Sequence, residues 1–179
     1  LESQSPVKEL VRLALASKPL TPQQWRLLAF YSWDTDQQQI FKSQELEARL
    51  TQLATAAPAG AIRDRLTLKA IVARAQQDPA VLDGRQRAAD LQFVERVLAA
   101  PESMAEQRDL IVLFADGLTK YLAPSIDARS QLAAKWDQAL ALMLSRTAPS
   151  RIDALDALDA RVDLWKAIDK SETLSVARA

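Results

Sequence analysis

The residues whose types and spacing come nearest to a recognisable chemistry lie between Asp34 and Glu45. Asp34, Asp36, Gln38 and Glu45 fall at the first, third, fifth and twelfth positions of a twelve-residue calcium loop. Such a loop needs Gly at its sixth position to turn sharply, and Gln39 stands there. Phe41 occupies the eighth position, where a branched aliphatic residue is usual. A helix kink, or an N-cap by Asp34, accounts for the same residues, because Asp and Thr compete with the helical backbone for hydrogen bonds. No metal site is favoured, and Asp34, Asp36 and Glu45 are the candidates should one exist.

Other polar sets are less specific. Asp153, Asp156, Asp159 and Asp163 form an acidic strip near the end of the chain, which could hold a cation or receive a basic partner. Arg161 and Lys166 lie among them, and a solvated helix face is the favoured reading. Arg63, Arg65, Lys69, Arg74, Arg85 and Arg87 make the middle of the chain basic, with Asp64, Asp78, Asp83 and Asp90 interleaved. That mixture too reads as a solvated face. Any two carboxylates could meet in space for hydrolysis, but nothing singles out a pair.

Absences narrow the field further. The chain has no His and no Cys. Disulfides, Cys/His zinc sites, Ser-His-Asp or Cys-His catalysis and Glu-x-x-His di-iron centres are therefore excluded. An enzyme is not expected, nor is a cofactor. Lys plus Arg and Asp plus Glu number 23 each, so the basic excess of a nucleic-acid binder is missing. No apolar run reaches the roughly 20 residues that span a bilayer. The start at Leu1 and the lack of Cys suggest a periplasmic or secreted bacterial protein whose leader has been removed.

Aromatic residues are the strongest positive signal. Trp25, Phe30, Tyr31, Trp33 and Phe41 all fall in one short stretch of a chain with 4 Trp, 2 Tyr and 4 Phe. They occupy too many angles of a helix to face one core. Core packing and an interface hot spot are about equally supported. Trp25, Arg26, Tyr31 and Trp33 are the predicted partner-binding residues, since Trp, Tyr and Arg dominate such patches.

The elements that carry these residues are helices. Only 3 Gly occur in 179 residues, among many Ala and Leu. The 8 Pro map helix edges, because proline is welcome at the first helical position and costs about 3 kcal/mol inside. Helices are predicted over about 6–17, with Val7, Leu10, Val11 and Ala14 inward, and from Pro22, opened by a Thr21/Gln24 capping box. In that second helix Trp25, Leu28, Ala29 and Ser32 form one face, widened by Leu27, Phe30 and Tyr31. Periodicity resumes at Ile40, Phe41, Leu46, Leu50 and Leu53, until Pro58 and Gly60 punctuate.

Further helices are expected over about 59–77 and 85–99, with a short turn after Asp78-Pro79 that Gly84 ends. Another is opened by a Ser103/Glu106 capping box and carries Gly117 inside it. One after Pro124 runs through Ala133, Trp136, Leu140, Met143 and Leu144. The last has Ile152, Leu155, Val162, Trp165 and Ile168 inward. Residues 171–179 read as a frayed tail. DALDALDAR is a helix-forming pattern, and no period of 20–50 residues marks a solenoid. The prediction is a single all-α domain over 1–179, an irregular or orthogonal bundle of about six to seven helices without a sheet.

The run Trp25-Arg26-Leu27-Leu28-Ala29-Phe30-Tyr31-Ser32-Trp33-Asp34, followed by Ala- and Leu-rich amphipathic helices, loosely resembles the helical accessory or chaperone proteins of secreted bacterial lipases and phospholipases. Lipase chaperones carry an Arg-x-x-Phe-Asp-Tyr type motif. Arg26 to Tyr31 departs from it, with the aromatic one residue late and no Asp, so a phospholipase accessory protein is the nearer match. The resemblance implies a non-catalytic, exported protein that binds a protein partner, such as an exported enzyme, through a helical surface. The alternative is a helical sensor domain that binds a ligand or cation between helices.

Overall fold

The computed structural model describes residues 6–30, 43–77, 83–100, 106–107, 110, 114, 117–146 and 162. The fold is all-α, and among the described residues there is no strand. No described helix is long and apolar enough to cross a membrane. Internal contacts cluster into two compact units, 1–77 and 78–179.

The first unit holds α1 (Pro6–Leu15), α2 (Pro22–Phe30), α3 (Ser43–Ala56) and α4 (Ala61–Ala75). The closest pairing is α3 with α4, and α1 and α2 pack onto them and each other. Leu10, Ala14, Trp25, Leu28, Ala29, Leu50, Leu53, Leu66 and Ala70 share one apolar cluster. Each fully buried leucine among them contributes about 1.5–3 kcal/mol.

Helix α1 stops at Leu15, two residues short of the predicted end, because the backbone turns left-handed at Ser17, with φ 54°. Lys18 N–H donates to Leu13 O at 2.9 Å and Ser17 N–H to Ala14 O at 3.1 Å. This is the Schellman closure, with Ser where Gly is usual. On α1 the Arg12 guanidinium binds the exposed Glu9 carboxylate at 2.6 Å. That hydrogen bond holds the Glu9 carboxyl below the ordinary glutamate range. Its contribution is therefore present above that range and lost as pH falls through the lowered value.

The predicted capping box forms. Thr21 N–H donates to Gln24 Oε1 at 2.8 Å, and Gln24 N–H donates to Thr21 Oγ1 at 3.2 Å. Gly60 takes φ 103° just before α4, a conformation other residues rarely adopt. Arg63 then reaches back to the Ala57 carbonyl at the end of α3, through Nη2 at 2.6 Å and Nε at 3.1 Å.

One expectation about α4 changes. Arg65 and Lys69, read as part of a solvated face, are buried, while Arg63 is exposed. Leu66, Leu68, Ala70, Ile71, Val72 and Ala73 are also buried, so α4 is covered on more than one side and takes its charged stems inside with it.

The second unit holds α5 (Gly84–Ala99), helical residues at 106–107, 110, 114 and 117–122 (labelled α6), and α7 (Ile126–Arg146). Gly84, expected to end a turn that lies outside the described residues, is the first residue of α5. Asp83 accepts a hydrogen bond from Arg85 N–H at 3.0 Å and takes the N-cap position, so the helix starts there. Val94, Val97, Leu98, Leu110, Leu118, Leu132, Ala133, Trp136 and Leu140 are buried. Ser125 caps α7 through Ala128 N–H at 3.2 Å, and Arg129 donates to Ala123 O at 2.9 Å.

Val162, predicted inward, is 49 % exposed. Outside the described residues lie the turn after Asp78, Ser103 of its capping box, the acidic strip at Asp153, Asp156, Asp159 and Asp163, and the tail 171–179. The same is true of the side chains of Val7, Met143 and Leu144.

Gly117 is exposed, and a Cβ there would meet nothing within 4 Å. Close packing does not use the missing side chain, so Gly117→Ala should raise stability by about 0.5–1 kcal/mol. Ser17→Gly should add about the same by relieving the left-handed strain at the end of α1. Urea midpoints of the two variants against the parent measure both effects.

Candidate functional site

Helix α2 has two unlike sides. Trp25, Leu28 and Ala29 are buried in the cluster of the first unit. Leu27 and Phe30 are 50 % and 37 % exposed, large apolar side chains on a helix of nine residues. Helical rotation explains the split. At about 100° per residue, Leu28 and Ala29 fall within 60° of Trp25, while Phe30 and Leu27 fall about 140° and 160° away.

Two guanidinium groups flank Phe30. Arg26, exposed on α2 itself, lies 5.4 Å from the ring centroid. Arg65 of α4 lies 4.1 Å from it. Arg65 is only 3 % exposed, and its Nε donates to the Ala29 carbonyl at 3.2 Å. Its charge thus lies against a backbone carbonyl of α2. Stacking and hydrogen bonding together fix the Phe30 ring between a buried cation and an exposed one.

The predicted partner-binding residues divide accordingly. Trp25 is 8 % exposed and packs in the core, because its angle on α2 points it at α3 and α4. Arg26 is on the exposed side. Tyr31 and Trp33 lie outside the described residues, as do the metal candidates Asp34 and Asp36. Glu45 is exposed on the first turn of α3, and no cluster of three or more metal-ligating carboxylates occurs among the described residues. Leu27, Phe30 and Arg65 were not among the predicted residues. The rotation argument would have placed the first two outward, whereas nothing local marks Arg65, 36 residues from its carbonyl partner.

The second unit carries a cleft of about 420 Å³ between α5 and α7. Leu98, Ala99, Ala139 and Leu142 give it apolar walls, and Glu95 and Lys135 meet across it in an ion pair of 2.5 Å. Its volume falls within the range of small-molecule sites. Further along α5, Asp90 is 4 % exposed and accepts hydrogen bonds from Tyr121 Oη at 2.8 Å and Gln86 Nε2 at 3.0 Å. Asp90 was read as part of a solvated face. The Tyr121 hydroxyl of α6 draws it inside instead, and a buried carboxylate needs such donors. With Tyr121 buried as well, the pair ties α5 to α6 and offers a substrate no access.

Removing the Arg65 guanidinium should be costly, because it leaves the Ala29 carbonyl without this donor and Phe30 without its inner face. Arg65→Ala is expected to lose about 1–3 kcal/mol, against less than about 0.5 kcal/mol for Arg26→Ala. Amide hydrogen exchange in α2 and α4 reads both. No protein-family model, curated protein or solved structure matches this chain.

Proposed function

We propose that this protein is a non-catalytic helical interaction protein that binds a protein partner through the outward side of α2. The observation that carries the reading is the exposure of Leu27 and Phe30 on a helix whose other side is core. Exposed apolar groups beside an arginine are the usual makings of an interface hot spot. An exported accessory or chaperone role, with a secreted phospholipase as the partner, is the form of this proposal that the Trp25 to Asp34 resemblance supports.

The test is a stoichiometric complex of the full chain with a partner captured from the exported fraction of the native host, repeated with purified components. Leu27→Asp should abolish the complex while helical circular dichroism stays unchanged, since Leu27 is half exposed. A complex that survives Leu27→Asp and Arg26→Ala would remove α2 from the interface.

A ligand-binding helical sensor is the second reading, favoured by the cleft between α5 and α7. It expects a small-molecule fragment library to include compounds that raise the thermal midpoint. Ala139→Leu, which fills the cleft, should cancel that rise. A library without effect would dismiss it.

A further inference from the structure

We propose that the segment received by the outward side of α2 is acidic and amphipathic, a stretch of protein in which a carboxylate lies next to an apolar side chain. The inference rests on the docking reading of the same surface and adds the chemistry of the occupant. Its basis is the charge arrangement around Phe30. Helix α2 reads PQQWRLLAF, with Arg26 its one charged residue.

Three cations in the described structure face a carboxylate, Arg12 with Glu9, Arg74 with Glu47 and Lys135 with Glu95, and Arg63, Arg65 and Arg129 face backbone carbonyls. Arg26 has the Phe30 ring and makes no ion pair among the described residues. A guanidinium that lies over a ring spends its flat face there and keeps its N–H edge for an acceptor. A carboxylate can meet that edge with two parallel hydrogen bonds. The second guanidinium, Arg65, lies on the same ring and holds it in place.

An apolar side chain next to the incoming carboxylate would cover Leu27 and the outer part of Phe30, the two exposed apolar groups. Desolvating the ring strengthens its attraction to both cations. A basic segment would bring like charge against Arg26 and is disfavoured. A purely apolar segment would cover Leu27 and Phe30 but leave the Arg26 edge without an acceptor.

The probe is three sets of short helical peptides, identical in a Leu/Phe stripe and differing only in whether Glu, Gln or Lys flanks it. Binding to the full chain is read by fluorescence anisotropy. The Glu set should bind about tenfold more tightly than the Gln set, and the gap should narrow at high salt. Arg26→Glu, at an exposed position, should reverse the order in favour of the Lys set at unchanged helicity. Equal binding of the Glu and Gln sets, both weakened by Leu27→Asp, would overturn the acidic preference and leave the docking reading standing. Failure of every set to bind, or indifference to Leu27→Asp, would overturn both.

Discussion

Every helix ends with carbonyls that have no partner within the helix, and a chain with 3 Gly has few of the residues that usually close such ends. This constraint shapes both units. In the first, α1 closes with Ser17 in the left-handed region. Arg65 serves α2 at Ala29, and Arg63 serves α3 at Ala57. In the second, Arg129 serves Ala123 and Pro124 after α6. Three times an arginine from a later helix supplies the donor that a glycine turn would otherwise make unnecessary. The arrangement also fixes where the following helix begins, because the arginine sits in or near its first turn in two of the three cases. Helix ends and helix packing are thus set by the same side chains.

The outward side of α2 depends on this device. Phe30 is the last described residue of α2, and its ring is partly exposed. Arg65 holds the carbonyl beside it and stacks on the ring. An ordered aromatic at a helix end loses less entropy when covered than a mobile one does. The core side of the same helix, through Trp25 and Leu28, keeps the backbone in place. Surface and core are therefore coupled through nine residues, and a substitution on either side is felt by the other.

Much of the architecture was legible in the sequence. Pro22 with Thr21 and Gln24 located the start of α2, because a capping box is a local device whose donors and acceptors are all within three residues. Ala133, Trp136 and Leu140 follow a helical spacing in the sequence, and all three are buried. What failed depended on distant partners. Asp90 and Arg65 look like surface charges in any local window, and they are inside because Tyr121 and Ala29 are waiting there. Gly84 is the first residue of α5, which Asp83 caps, and the turn before it lies outside the described residues. At the candidate site the concentration of aromatics near α2 was visible, but which of them face outward required the rotation set by the core. Trp25, the most eye-catching residue, is core, and the quieter Leu27 and Phe30 are exposed.

The arginine contacts differ in how much chain each one encloses. Arg63 and Arg129 reach carbonyls six residues back, so their rings close cheaply within a single corner. Arg65 spans 36 residues to Ala29. On a simple loop-closure argument the longer ring costs about 1.6 kcal/mol more entropy to form than the short ones. Of the three, the contact at the end of α2 therefore releases the most conformational freedom when it opens. The surface that carries Leu27 and Phe30 is thus tied down by the contact of longest reach among the three.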